Sequence, residues 1–202
     1  MGRSDGITKN EPSSTVAAWL DRWGILACFV WGIAEAMVFF IVPDVIVGLV
    51  ALFRPGRALR AAGAAIGGAL LGGLALYLTA RTAGPGMRTF IESVPAIPHR
   101  MLPQARRELT AHGGAAMVFA PLAGIPYKVY VVEMALRRSS VLSLLLWTIP
   151  ARAARIVPVG LVAGGFGVLF RPHLARRPGL GLLLYAAVWV AIYANYWRST
   201  GF

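Results

Sequence analysis

Lys128 lies in the middle of a segment, Gly113 to Met134, that otherwise has the composition of a membrane interior. Placing a charged side chain at bilayer depth costs several kcal/mol, so ionisable residues inside membrane segments are functional candidates. Pro126 lacks a backbone N–H group and disfavours helical geometry at Ile125, so a helix that arrives here must break or kink. Broken helices persist at membrane depth only inside protein or beside a wet cavity, which is typical of transporter binding sites.

The same pattern occurs earlier in the chain, from Trp31 to Phe53, where Glu35, Pro43 and Asp44 interrupt an apolar run. In both segments an apolar run is followed by a proline, a charge and a second apolar run. Such paired segments in the two halves of a chain indicate a transporter-type site. We therefore predict two Pro-broken re-entrant helical hairpins in inverted repeat, packed among transmembrane helices, with Pro43 and Pro126 as structural hinges.

The composition is that of an integral membrane protein. Of the 202 residues, 57% are hydrophobic and 14% are charged, whereas a soluble domain has about 25% charged residues. We therefore predict an all-α polytopic membrane protein. The net charge of +12 does not indicate a nucleic-acid partner, because the arginines cluster at the ends of apolar runs, where they suit anionic lipid headgroups. The histidines lie in loops without metal-ligand spacing, so neither a metal nor a cofactor is predicted.

The hydropathy pattern divides the chain into three parts. Residues 1–22 are a polar N-terminal tail that ends in a candidate interfacial helix, Val16 to Arg22. Residues 23–170 form the membrane domain, and residues 171–202 form a C-terminal transmembrane helix and tail.

Within the membrane domain, Leu59 to Ala83 is predicted to be a transmembrane helix rich in glycine. Its small-xxx-small pairs, Gly63/Gly67 and Gly68/Gly72, would let another backbone approach closely. Tyr77 continues the Gly73 face, so its hydroxyl is expected to point into the bundle. Residues 84–112 form a polar connector whose end, Gln104 to His112, is predicted to be a short amphipathic helix on the membrane surface.

Buried charges must be paired or hydrogen-bonded, and six ionisable residues lie inside the apolar segments. They are Glu35, Asp44, Lys128, Glu133, Arg152 and Arg155. Three acids and three bases would form a neutral set, so we predict that all six converge in the bundle.

The basic members of this set suit an anionic substrate. Arg152 and Arg155 are three residues apart and share a helix face. If Pro126 starts a helix, Lys128 lies in its first turn, where the helix dipole disfavours a cation. Backbone N–H groups, Lys128 and the two arginines would together bind an anion. We add Tyr127, which precedes Lys128, to this substrate-binding group.

Glu35 and Asp44 are the candidates for proton coupling. A structural alternative stays open for each: Asp44 suits a helix start as a cap, and Glu35 could remain ionised beside Arg152 or Arg155. The chain carries none of the common hydrolase, P-loop or metalloprotease motifs beside these helices, so it is not predicted to be an enzyme.

Two strings carry a resemblance to a known family. AEAMVFFIVPDVIV, residues 34–47, resembles the first re-entrant segment of DedA proteins, the VTT-domain or SNARE-associated group. Residues 124–159, which begin GIPYKVYVVEM, resemble the second segment and following helix of the YqaA-like branch. The resemblance covers roughly residues 23–170. It implies that Glu35 and Asp44 match the family's acidic pair, Arg152 and Arg155 its paired arginines, and Lys128 the lysine of that branch.

The resemblance also implies a function. It predicts a multi-pass protein of the bacterial plasma (inner) membrane that flips or scrambles an anionic lipid phosphate, with proton coupling in some relatives. The expected partners are a membrane phospholipid or polyprenyl phosphate and protons, and a homo-oligomer stays open. Two alternatives remain: a proton- or ion-coupled transporter of a small solute, and a non-transporting assembly protein in which the charges form a fixed salt-bridge network.

Overall fold

The computed structural model describes residues 15–39, 41–94 and 97–200, and these residues contain helices and no strand. Most of the predicted polar tail lies outside the described residues. The described ranges contain ten α-helices, which are α1 Thr15–Met37, α2 Asp44–Phe53, α3 Ala58–Ala83, α4 Gly86–Glu92, α5 Met101–His112, α6 Ala116–Ala123, α7 Tyr127–Leu136, α8 Val141–Leu169, α9 Arg171–Arg176 and α10 Pro178–Thr200. Short 3-10 turns, Pro55–Arg57 and Gly113–Ala115, precede α3 and α6.

Four of the described helical segments are long and apolar enough to cross a membrane. They are Thr15–Met37, Pro55–Ala83, Val141–Leu169 and Pro178–Arg198. A hydrocarbon core of about 30 Å needs about 20 helical residues, and each segment has at least 21. The prediction of an all-α, multi-pass membrane protein is confirmed at this level.

The first helix begins earlier than the sequence predicted. α1 runs without interruption from Thr15, so the segment Val16 to Arg22 is its first part and not a separate interfacial helix. Near this end Asp21 forms an ion pair of 2.6 Å with Arg54, which follows α2. This pair ties the start of α1 to the turn that leads into α3.

Both predicted breaks occur at their prolines. α1 ends at Met37 and α2 starts after Pro43, while α6 ends at Ala123 and α7 starts after Pro126. In the second break Gly124 has φ +67°, a left-handed conformation that glycine adopts without a steric penalty. The breaks follow from local chemistry, because proline cannot donate the hydrogen bond that a continuing helix needs.

The glycines of α3 provide a close contact with α1. A Cβ atom at Gly68 or Gly72 would collide with backbone atoms of α1. By contrast, Gly63 faces open space, and the nearest atom to a Cβ at Gly67 would be in the Phe29 ring at 3.7 Å. The prediction of close backbone approach is therefore correct for Gly68/Gly72 and wrong for Gly63/Gly67, because the two pairs lie on different faces of α3.

We expect Gly68→Ala to lower the free energy of unfolding by about 1–3 kcal/mol, since overpacking a tight contact costs roughly that much. The added methyl group would meet the carbonyl oxygen of Phe29. Gly63→Ala is the matched control in the same helix, and the better helix propensity of alanine should raise stability by up to about 1 kcal/mol. Unfolding titrations in detergent measure both variants. An equal effect at the two positions would contradict the close packing of α1 on α3.

The predicted polar connector is largely helical and packs inside the protein. α5 starts at Met101, earlier than the amphipathic helix predicted from Gln104, and its apolar side is buried with Leu102, Ala105 and Leu109. This side contacts α7. The connector therefore covers the second broken segment, and its apolar residues pack on protein.

Candidate functional site

Lys128 connects the two breaks directly. It lies in the first turn of α7, as predicted, and is only 2% exposed. Its Nζ atom donates a hydrogen bond of 2.7 Å to the carbonyl oxygen of Phe39, which lies between α1 and α2. No described carboxylate lies within 4.0 Å of this ammonium group in an ion pair. The buried lysine is therefore held by a backbone carbonyl, at a helix end whose dipole repels it.

Glu35 and Arg152 form a buried ion pair. The Nη2 atom of Arg152 donates to Oε2 of Glu35 at 2.6 Å, and both residues are at most 4% exposed. This is the pairing expected for a Glu35 that remains ionised, which was the structural alternative to proton exchange. It brings α1 and α8 together at the level of the breaks.

Tyr127 also contacts Arg152, through its aromatic ring. The centre of the Arg152 guanidinium lies 4.1 Å from the ring centroid of Tyr127, a cation–π contact. The Tyr127 hydroxyl shares a hydrogen bond of 2.8 Å with the Thr148 hydroxyl. The structure thus places Tyr127, predicted as a substrate-binding residue, where it orients an arginine. Thr148 was not recognised in the sequence because a lone threonine in an apolar helix carries no distinguishing signal.

Asp44 and Arg155 form a second ion pair, of 3.1 Å between Oδ2 and Nε. The pair lacks a well-aligned hydrogen bond, and Oδ1 of Asp44 and the Nε and Nη2 atoms of Arg155 have no hydrogen-bond partner among the described residues. Nε of Arg152 is likewise without one. Asp44 is the first residue of α2, so it has the helix-start position that the structural alternative predicted, while Pro43 occupies the N-cap and makes no capping hydrogen bond with its side chain.

Glu133 lies apart from the other five charges, so the predicted convergence of all six is wrong. Its side chain is fully buried and pairs with Arg88 at 2.9 Å and with Arg106 at 3.2 Å. Glu133 is five residues beyond Lys128 in the same helix, which turns it about 140° around the α7 axis. It therefore faces the connector helices.

We use the name buried charge cluster for Glu35, Asp44, Lys128, Arg152 and Arg155. Three bases and two acids give this cluster a formal charge of +1, in place of the neutral set predicted from the sequence. Four of the five residues are buried, and the Arg155 side chain is 28% exposed. Excess positive charge with unused N–H groups is the arrangement that an anionic group would complete.

Aromatic residues of α10 close the first break from the outside. The Tyr185 hydroxyl donates to the carbonyl oxygen of Val45 at 2.7 Å, and the Tyr193 hydroxyl accepts from the backbone N–H of Val42 at 2.8 Å. The signal for the observed role is the spacing of Tyr185, Trp189 and Tyr193, which repeats every four residues on one helix face.

A groove of about 990 Å³ lies between α8 and α10. Its α8 wall includes Val159, Val162 and Phe166, which continue the helix face of Arg155 at i+4, i+7 and i+11. Its α10 wall includes Tyr185. An apolar groove therefore leads along one helix face towards the most exposed member of the buried charge cluster.

Comparison with protein-family models finds no match, and comparisons with curated proteins and with solved structures find no significant match. The resemblance to DedA proteins stays a prediction from the quoted strings.

Proposed function

We propose that the protein moves an anionic lipid with a phosphate headgroup across the membrane, and that the buried charge cluster binds the headgroup. The observation that carries this proposal is the formal charge of the cluster, +1, to which four buried residues and the partly exposed Arg155 contribute. An uncompensated charge in a low-dielectric site is costly, and a bound anion would neutralise it.

The unused donors support the same ligand. Lys128 would gain an anionic partner, and Arg155 would gain an acceptor for its Nη2 group. The backbone N–H groups at the start of α7 lie beside Lys128, and helix starts favour phosphate through their dipole. Arginine suits phosphate because its planar guanidinium can donate two parallel hydrogen bonds.

The groove favours a lipid over a small solute. Its wall is apolar along α8 and α10 and would accept an acyl chain, while Arg155 lies further along the same face of α8. A small water-soluble anion has no acyl chain, so contact with this apolar wall would not strengthen its binding. We therefore propose that the headgroup enters the cluster sideways while the chains stay in the groove.

Proton coupling is part of the proposal, and the geometry favours Asp44 over Glu35 as the carrier. A proton on Glu35 would remove the negative charge from its 2.6 Å ion pair with Arg152. Asp44 is held less firmly: its ion pair with Arg155 is longer, at 3.1 Å, and its buried Oδ1 has no hydrogen-bond partner among the described residues, so a proton on Oδ1 disturbs a weaker contact.

A fixed salt-bridge network is the second candidate, and the pairs Glu35–Arg152 and Asp44–Arg155 favour it. A purely structural network, however, gives no acidic partner to Lys128 and leaves the buried Nη2 donor of Arg155 unused. Structural networks are stable when every member is satisfied.

We expect proteoliposomes of the full chain to transfer headgroup-labelled phosphatidylglycerol between leaflets, and Arg155→Gln to slow this transfer roughly ten- to hundredfold. A hydrogen bond to a charged group contributes about 1.5–3 kcal/mol, and each 1.4 kcal/mol in a barrier is about tenfold in rate. Dithionite quenching of the label measures the rate. Arg60→Gln is the control, because Arg60 is exposed at the start of α3.

A labelled glycolipid without phosphate tests the headgroup in the same vesicles. Transfer of the glycolipid at the same rate, or transfer that Arg155→Gln leaves unchanged, would contradict an anion site in the cluster. Release of an encapsulated phosphate ester without lipid transfer would favour the solute alternative.

A further inference from the structure

A second cavity, of about 320 Å³, lies where α3 and α7 end. Three arginines line it: Arg81 in the last turn of α3, Arg88 in α4, and Arg138 just after α7. α3 belongs to the apolar span Pro55–Ala83, so this cavity is located at the edge of that span. Among the described residues that line the cavity, none is acidic.

Arg138 occupies a backbone position that normally belongs to glycine. Its φ is +58°, whereas the other described residues with positive φ are all glycines. The N–H of Ser139 bonds to the carbonyl of Met134 and the N–H of Arg138 to that of Ala135, which is the Schellman pattern with Arg138 at the left-handed C′ position. A bulky residue in this conformation is strained, and strained residues are typical of sites where the side chain is used.

The three arginines differ in their partners. Arg88 forms an ion pair with Glu133, with Nε and Oε1 2.9 Å apart. Arg81 donates to the Tyr77 hydroxyl at 3.1 Å, so a neutral group holds it. Arg138 makes neither a hydrogen bond nor an ion pair with any described side chain. Two guanidinium groups at the cavity therefore have no acidic partner in the part of the chain that the structure describes.

The geometry points to a phosphate-binding site in this cavity, with Arg81 and Arg138 as its ligands and Arg88 as a supporting charge. Guanidinium groups bind phosphate oxygens through parallel hydrogen bonds, and an oxyanion would supply the missing acidic partner. The phosphate could belong to the headgroup of a phospholipid or to a water-soluble phosphate compound, since the cavity is at the edge of the membrane span.

This site is separate from the buried charge cluster. Arg138 follows Lys128 by ten residues, about 15 Å along the helix direction. Binding at the cavity requires none of the cluster residues, so the two proposals can fail independently.

Arg138→Gly is the decisive variant, because glycine adopts the left-handed conformation without strain. The full-length protein in dodecyl maltoside, a detergent without phosphate, is titrated with phosphatidylglycerol and, separately, with inorganic phosphate. Native mass spectrometry measures binding of the lipid, and calorimetry measures binding of inorganic phosphate. We expect Arg138→Gly and Arg81→Gln each to weaken binding of at least one probe by about tenfold or more, because each variant loses one hydrogen bond from a charged donor. The melting temperature of Arg138→Gly should be equal to or above that of the wild type.

The two probes distinguish the sources of the phosphate. An effect on phosphatidylglycerol alone assigns the cavity to a lipid headgroup, and an effect on inorganic phosphate assigns it to a soluble phosphate compound. Arg60→Gln, at the opposite end of α3, is the control for general attraction by basic residues. Unchanged affinity of Arg138→Gly for both probes, or an equal loss in Arg60→Gln, would overturn the site. Repeating the titration with variants that also carry Arg155→Gln distinguishes binding at the cavity from binding at the buried charge cluster.

Discussion

Arg152→Met is expected to lower the free energy of unfolding by about 3–5 kcal/mol, the usual cost of removing one partner of a buried ion pair. The variant keeps most of the side-chain volume but leaves the Glu35 carboxylate buried without its partner at 2.6 Å. It also removes the cation that lies over the Tyr127 ring. Unfolding in mixed micelles, followed by tryptophan fluorescence, measures the loss.

The double variant Glu35→Gln with Arg152→Met identifies the cause. Removing both charges should restore most of the lost stability, because no charge is then left unpaired. The two single variants should therefore be strongly non-additive. Simple addition of their effects would show that Arg152 stabilises the protein through packing and not through Glu35.

The breaks and the apolar spans could be predicted because they depend on local chemistry. Pro43 and Pro126 remove a backbone donor whatever surrounds them, and α2 and α7 both start directly after them. The length and hydropathy of a segment likewise decide whether it can cross a bilayer. The location of Lys128 in the first helical turn follows from Pro126 in the same way.

The partners of the charges could not be predicted, because they depend on how each helix is rotated and packed. Lys128 and Glu133 share α7, yet they face different sides of it and belong to different clusters. The contact between Tyr185 and Val45 joins residues 140 apart in sequence. Composition favours a neutral set of six charges, whereas the fold separates them into a positive cluster and a Glu133 site on another side of α7.

The second large effect concerns Lys128. In the transport assay, Lys128→Met is expected to abolish lipid transfer, because it removes the excess charge of the buried charge cluster and the hydrogen bond of 2.7 Å that joins the two breaks. Methionine retains the length of the lysine stem, so packing is disturbed little. The loss should exceed that of Arg155→Gln, since Arg155 is one of two arginines whereas Lys128 is the base in the first turn of α7.

The stability of Lys128→Met separates the transport proposal from a fixed network. Lys128 has no acidic partner within 4.0 Å among the described residues, so its removal leaves no carboxylate unpaired. We therefore expect the melting temperature to stay the same or rise, in contrast to the fall for Arg152→Met. If the variant is inactive but has the melting temperature of the wild type, Lys128 contributes to binding and not to stability. A large fall in melting temperature, in step with the loss of activity, would show that Lys128 is part of the structural framework and would remove it from the proposed headgroup site.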